Sequence, residues 1–220
     1  MTSIVSITIS CVAAFLVGGI PFGYLLGRLL LKDDIRNHGS GNIGATNVGR
    51  VIGWKWGGLV LLLDAVKGLL PTLLARNMAD QLVTTEYRSL LPVAVGVAAI
   101  AGHMYPIYLK LRGGKGVATA LGVVLVLAPK AVAVAFGVFL LTVAVTRTVA
   151  IASIAAALTF GGTQLFLNAS DLFSAENLPM TIFAVGIPIL IIWRHRSNLV
   201  KLWKGPGEAS PPDPPHDTQN

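Results

Sequence analysis

Seven apolar runs, Ile4–Leu31, Trp54–Ala75, Leu90–Leu109, Val117–Ala128, Ala131–Val145, Val149–Leu167 and Pro179–Trp193, take up most of this 220-residue chain. The segments between them hold nearly every charge. Runs of this length suit a bilayer core about 30 Å thick, and in lipid such a chain must close its own backbone hydrogen bonds, which helices do within one segment. With 54% of residues hydrophobic, 12% charged and a mean hydropathy of +0.71, the chain is too apolar for a single water-soluble core. No basic residue precedes the first run and no small-residue cleavage site follows it, so it reads as a retained helix rather than a secretory leader. One cysteine, Cys11, excludes a disulfide framework and any multi-cysteine metal site.

Charge distribution orients the spans. Seven crossings put the termini on opposite sides; Arg76, Arg88 and Lys130 fall on one side, Lys67 inside a span, and the other 13 of the 17 Lys and Arg on the opposite side. The positive-inside rule makes the richer side cytoplasmic. The expectation is an all-α polytopic membrane protein of seven transmembrane helices, with the N-terminus outside, the C-terminus cytoplasmic and the site at the cytoplasmic face. Residues 1–208 form one integral-membrane domain, and 209–220, with four prolines, form a disordered cytoplasmic tail. The net charge of +7 is then largely a matter of topology, and nucleic-acid binding has no other support.

Unusual polar residues gather in four segments of that face. In the first, Gly39, Ser40, Gly41, Asn42, Gly44, Thr46 and Asn47 mix glycines with short hydrogen-bonding side chains, and Arg50 follows. The literal Gly-x-Gly-x-x-Gly lacks the strand that a dinucleotide fingerprint requires. An anion-binding nest of backbone amides fits better. In the second, Gly113-Gly-Lys-Gly116 lacks the four-residue spacer of a P-loop but places amides and Lys115 at the start of a helix, where the dipole favours an anion. Asp64 and Lys67, three residues apart inside the second span, either pair with each other or meet a substrate. The third segment is 146–153. In the fourth, His195 and Asn198 stand one helical turn apart. The four histidines show no metal-ligand spacing, and none is followed five residues later by Asp, so the His-x4-Asp signature of thioester-using glycerolipid acyltransferases is missing.

Taken in order, Gly39–Asn47 with Arg50, Asp64-x-x-Lys-Gly68, Gly102-His-x-x-Pro106 leading to Gly113-Gly-Lys-Gly-Val-Ala-Thr119, and His195-Arg-x-Asn198 resemble the PlsY family of bacterial acyl-phosphate:glycerol-3-phosphate acyltransferases. The resemblance spans about residues 4–208. It implies transfer of a fatty acyl group from acyl phosphate to the 1-hydroxyl of sn-glycerol 3-phosphate, giving lysophosphatidate and phosphate in phospholipid synthesis at the inner membrane. No cofactor or metal is implied; the soluble enzyme PlsX, which makes acyl phosphate, is the implied functional partner. Gly113, Gly114, Lys115 and Gly116 would hold glycerol 3-phosphate. Gly39, Ser40, Gly41, Asn42, Thr46, Asn47 and Arg50, with His195 and Asn198, would surround the acyl phosphate, with Ser40, Arg50, His195 and Asn198 acting in catalysis. His195 as base, Ser40 as nucleophile and the donor phosphate as proton acceptor are three routes; direct transfer, with His195 and Asn198 orienting the reactants, is favoured. Two positions depart from the family: Ala150 stands where it has a serine, leaving Ser153, and Glu208 ends a motif one residue longer than usual. Rival readings are a small-anion transporter, which would place an inverted repeat in the chain, and a non-catalytic scaffold, which leaves the Gly113–Gly116 loop unexplained.

Overall fold

The computed structural model describes the backbone of residues 2–204 and the side chains of residues 2–200. Glu208 and the expected tail lie outside the described residues. Among the described residues ten α-helices run in order: α1 (Ser3–Gly18), α2 (Phe22–Leu30), α3 (Ala45–Val51), α4 (Trp54–Asn77), α5 (Ala79–Leu82), α6 (Leu90–Met104), α7 (Val117–Leu127), α8 (Pro129–Thr146), α9 (Val149–Leu167) and α10 (Leu178–Lys204).

Six stretches of the described residues are long and apolar enough to cross a bilayer: 3–30, 54–77, 85–109, 129–146, 149–167 and 178–200. Their outward residues confirm the solvent. Leu62 (60% exposed), Leu141 (67%) and Phe166 (79%) sit on the surface, where only lipid accommodates so many large apolar side chains. The protein is a multi-pass membrane protein.

Three expectations change in detail. The first run is two helices: Pro21 lacks an N–H and turns the preceding residue out of helical conformation, so the chain breaks between α1 and α2. The last run extends through its basic end as one helix, α10, instead of stopping near Trp193. The expected fourth crossing, α7, has only 11 residues, about 16 Å of rise and roughly half a bilayer core. It starts deep in the bundle: Gly68, in the middle of α4, backs directly onto the Thr119 carbonyl. At its far end Arg76 donates to the Val126 carbonyl at 2.6 Å.

Close backbone approach holds the bundle together. Gly18 and Gly102 let α1 and α6 touch, and Gly68 and Gly122 do the same for α4 and α7; a Cβ at any of them would overlap the facing backbone. In lipid, where apolar burial drives little association, such close packing carries the stability. Helices α1, α4, α6 and α7 form one group, and α8, α9 and α10 a second that meets it along α6 and α7. A smaller apolar cluster of Ile35, Ile43, Val48, Val60 and Leu109 joins the segment before α3 to the one before α7. Two of the polar segments are thus fixed at one end of the bundle.

Candidate active site

Asn47 organises the first polar segment. It is 2% exposed, and its side chain accepts from the Ser40 N–H (2.7 Å) while donating to the carbonyls of Asn42 (2.8 Å), His38 (3.1 Å) and Ile35 (3.3 Å). Gly39 (φ +60°) and Gly41 (φ +69°) supply left-handed turns around it, and a Cβ at Gly39 would strike Asn47 Oδ1. Asn42 caps the next turn by accepting from the Gly44 N–H at 2.8 Å. Both asparagines spend hydrogen bonds on shaping the loop. The side chains this leaves outward are Ser40 and Arg50, both exposed, with Thr46 half-buried between them. The loop is pinned further by Arg36, whose guanidinium grips the Asp34 carboxylate at 2.6 and 3.0 Å and holds that carboxyl below the usual range.

The second segment folds back onto the end of α6. The Gly113 and Gly114 N–H groups donate to the carbonyls of Met104 (3.2 Å) and His103 (3.1 Å), capping that helix. These amides are therefore already engaged, and the glycines serve close approach: a Cβ on Gly113 would meet the His103 carbonyl and Pro106, and one on Gly114 the His103 imidazole. Gly116 (φ +84°) then turns the chain into α7. The amides left to receive an anion are those of the first turn of α7, which have no intrahelical acceptor. Lys115 stands half-exposed beside them.

His195 is buried on α10, and its Nδ1–H donates to the Ile191 carbonyl at 2.9 Å. A carbonyl can only accept, so the proton is on Nδ1 and the lone pair is on Nε2. Asn198, one turn on, is half-buried. Ser153 is buried on α9, donating back to the Val149 carbonyl at 2.8 Å.

The arrangement has relatives of known kind. A family model described as glycerol-3-phosphate acyltransferase matches residues 8–205. The glycerol-3-phosphate acyltransferase of Myxococcus xanthus is 47% identical over 188 residues, 86% of this chain and 91% of that protein. That of Syntrophotalea carbinolica is 46% identical over 200 residues, 91% and 95% of the two chains. The chain belongs to the glycerol-3-phosphate acyltransferase family. Crystal structures of PlsY, an integral membrane glycerol 3-phosphate acyltransferase, superpose on it. The glycerol 3-phosphate form gives a TM-score of 0.78 at 38% identity, covering 91% of this chain and 93% of that one. The lysophosphatidic acid form gives 0.75 at 37%, with the same coverage.

This acyltransferase also contains an apolar cavity of about 170 Å³ between α4, α7, α8, α9 and α10. Its wall begins at Val117 and Ala118, directly after the Gly113–Gly116 loop, passes Ser153 and Ala157, and includes Phe160 and Ile191. The apolar pattern of the sequence does not locate this space. It also passed over Arg194, whose guanidinium donates to the Gly114 carbonyl at 2.5 Å and lies over the Tyr105 ring, 5.5 Å from its centroid. One signal was available: Arg194 immediately precedes His195, at the deep end of a basic run.

Proposed function

We propose that this protein transfers a fatty acyl group from acyl phosphate to the 1-hydroxyl of sn-glycerol 3-phosphate, releasing 1-acyl-sn-glycerol 3-phosphate (lysophosphatidate) and phosphate. One observation carries the reading: the anion-suited start of α7 opens directly into an apolar cavity. Alkyl chain and charged head group thus have adjoining places, Lys115 at one and Val117 and Ala118 at the other. Glycerol 3-phosphate and lysophosphatidic acid, for which the two matched forms of PlsY are named, correspond to the acceptor and the product of this reaction.

In the proposed step the acceptor hydroxyl oxygen bonds to the acyl carbonyl carbon, the carbon–oxygen bond to the donor phosphate breaks, and the hydroxyl proton passes to that phosphate. Acyl phosphate is activated enough that positioning and electrostatics suffice. The Gly113–Gly116 loop with Lys115 holds glycerol 3-phosphate. Ser40 and Arg50 face the departing phosphate from a loop shaped by Gly39, Gly41, Asn42, Thr46 and Asn47. His195, with its lone pair on Nε2, and Asn198 orient the reactants. Ser153 forms part of the cavity wall.

The setting is the inner membrane of a bacterium, with the site at the cytoplasmic face, the N-terminus outside, and PlsX supplying the donor. The loop before α7 together with α7 makes the fourth of seven passes, which agrees with the one-sided Lys and Arg distribution. Incubating detergent-purified protein with palmitoyl phosphate and glycerol 3-phosphate, with no membrane gradient, should yield lysophosphatidate and phosphate in equal amounts. A transporter would yield neither.

A further inference from the structure

Asp64, Lys67 and His103 take no part in the chemistry above, yet all three are buried, at 2%, 3% and 4% exposure. Ionisable groups at this depth are costly unless partnered. They connect two distant places. Lys67 Nζ donates to the Ile20 carbonyl, freed by the break between α1 and α2, at 2.9 Å, and pairs with Asp64 Oδ1 at 2.8 Å. That same oxygen lies 3.6 Å from His103 Nδ1, and the other edge of the imidazole covers Gly114. Across the loop, Arg194 holds the Gly114 carbonyl. A glycine-rich loop has more conformational freedom to lose than any other, and here it is clamped from both sides.

We propose that Asp64 and His103 are positioning residues that fix the Gly113–Lys115 backbone in its substrate-binding form, with Lys67 tying them to the break in the first span. The inference rests on the reading that this loop binds glycerol 3-phosphate. Gly114 offers a direct test, because its φ is one that any residue adopts and the nearest atoms to an added Cβ all belong to the His103 ring. Gly114→Ala should raise the KM for glycerol 3-phosphate about 10-fold or more through loop displacement, leaving the KM for palmitoyl phosphate within about 2-fold. His103→Asn replaces the imidazole with a smaller polar side chain and clears the space. The double variant Gly114→Ala/His103→Asn should therefore have a lower acceptor KM than Gly114→Ala alone. Asp64→Asn should shift the acceptor KM in the same direction as Gly114→Ala.

Effects of Gly114→Ala and His103→Asn that simply multiply would overturn the inference. So would an unchanged acceptor KM with a rate falling only as the folded fraction falls, the mark of a merely structural role. Should His103→Asn fail to fold, Gly114→Ala alone decides, and a wild-type acceptor KM there refutes the proposal. Lys115→Ala is measured alongside: an unchanged acceptor KM in that variant would defeat the binding reading itself, whereas a raised one beside unaffected Gly114 and Asp64 variants defeats only this inference.

Discussion

In the proposed reaction Lys115 and His195 divide two kinds of work. A lysine gripping a phosphate that the reaction leaves unchanged contributes the same binding before and at the transition state. Lys115→Ala should therefore raise the KM for glycerol 3-phosphate about 10–150-fold, the equivalent of a charge-assisted contact worth about 1.5–3 kcal/mol, with kcat little changed. In the proposed step Ser40, Arg50, His195 and Asn198 face the atoms between which charge moves, so alanine at each should lower kcat roughly 10²-fold. Steady-state kinetics on folded variants separates the two patterns. Asn47 should behave differently from either. Its replacement by alanine leaves the Ser40 N–H and the carbonyls of Ile35, His38 and Asn42 without their partner, at about 1–3 kcal/mol for each group left dry. Thermal unfolding in detergent should show Asn47→Ala markedly destabilised and Arg50→Ala unchanged. The residue types of this loop were legible in the sequence, but their division into shaping and outward-facing groups was not. That division depends on which asparagine faces inward, and Asn42 and Asn47 look alike until the turn at Gly39 and Gly41 is built.

Helix α7 shows what local pattern reveals of an element. Its length was readable from the stop at Pro129, and the boundaries of α9 agree with the apolar run. The folding back of residues 110–116 onto α6 was not readable, because it depends on contacts of Gly113 and Gly114 with His103 and Pro106 rather than on any local period. The same non-local packing shapes the cavity, where small residues on α7 and α9 leave the space that larger ones would fill. Ala157 lines it. Ala157→Phe should displace about three methylenes of a long donor, at about 0.8 kcal/mol each, raising the KM for palmitoyl phosphate tens-fold. A short-chain acyl phosphate should be nearly unaffected, and equal loss with both donors would place the alkyl chain elsewhere.

Across the whole molecule, orientation rests on charge. In a Cys11→Ser background, cysteines placed at Ser40 and Ser197 should resist a membrane-impermeant thiol reagent applied to intact cells, and one at Ser89 should react. Labelling of both Ser40 and Ser197 positions from outside would reverse the assignment. Hydropathy made the membrane setting and most of the spans visible because lipid imposes one simple rule on every crossing. The break at Pro21 escaped a count of apolar runs because a neighbour stabilises it, Lys67 on the Ile20 carbonyl. The central claim concerns the donor. On the proposed reading the apolar cavity takes the alkyl chain and the two loops take phosphate, and the chain lacks the His-x4-Asp of thioester-using enzymes, so the acyl group should come from acyl phosphate. Comparing kcat/KM for palmitoyl phosphate and palmitoyl-CoA at fixed glycerol 3-phosphate tests this directly. The account predicts turnover with palmitoyl phosphate and little or none with palmitoyl-CoA; comparable values for the two would contradict it.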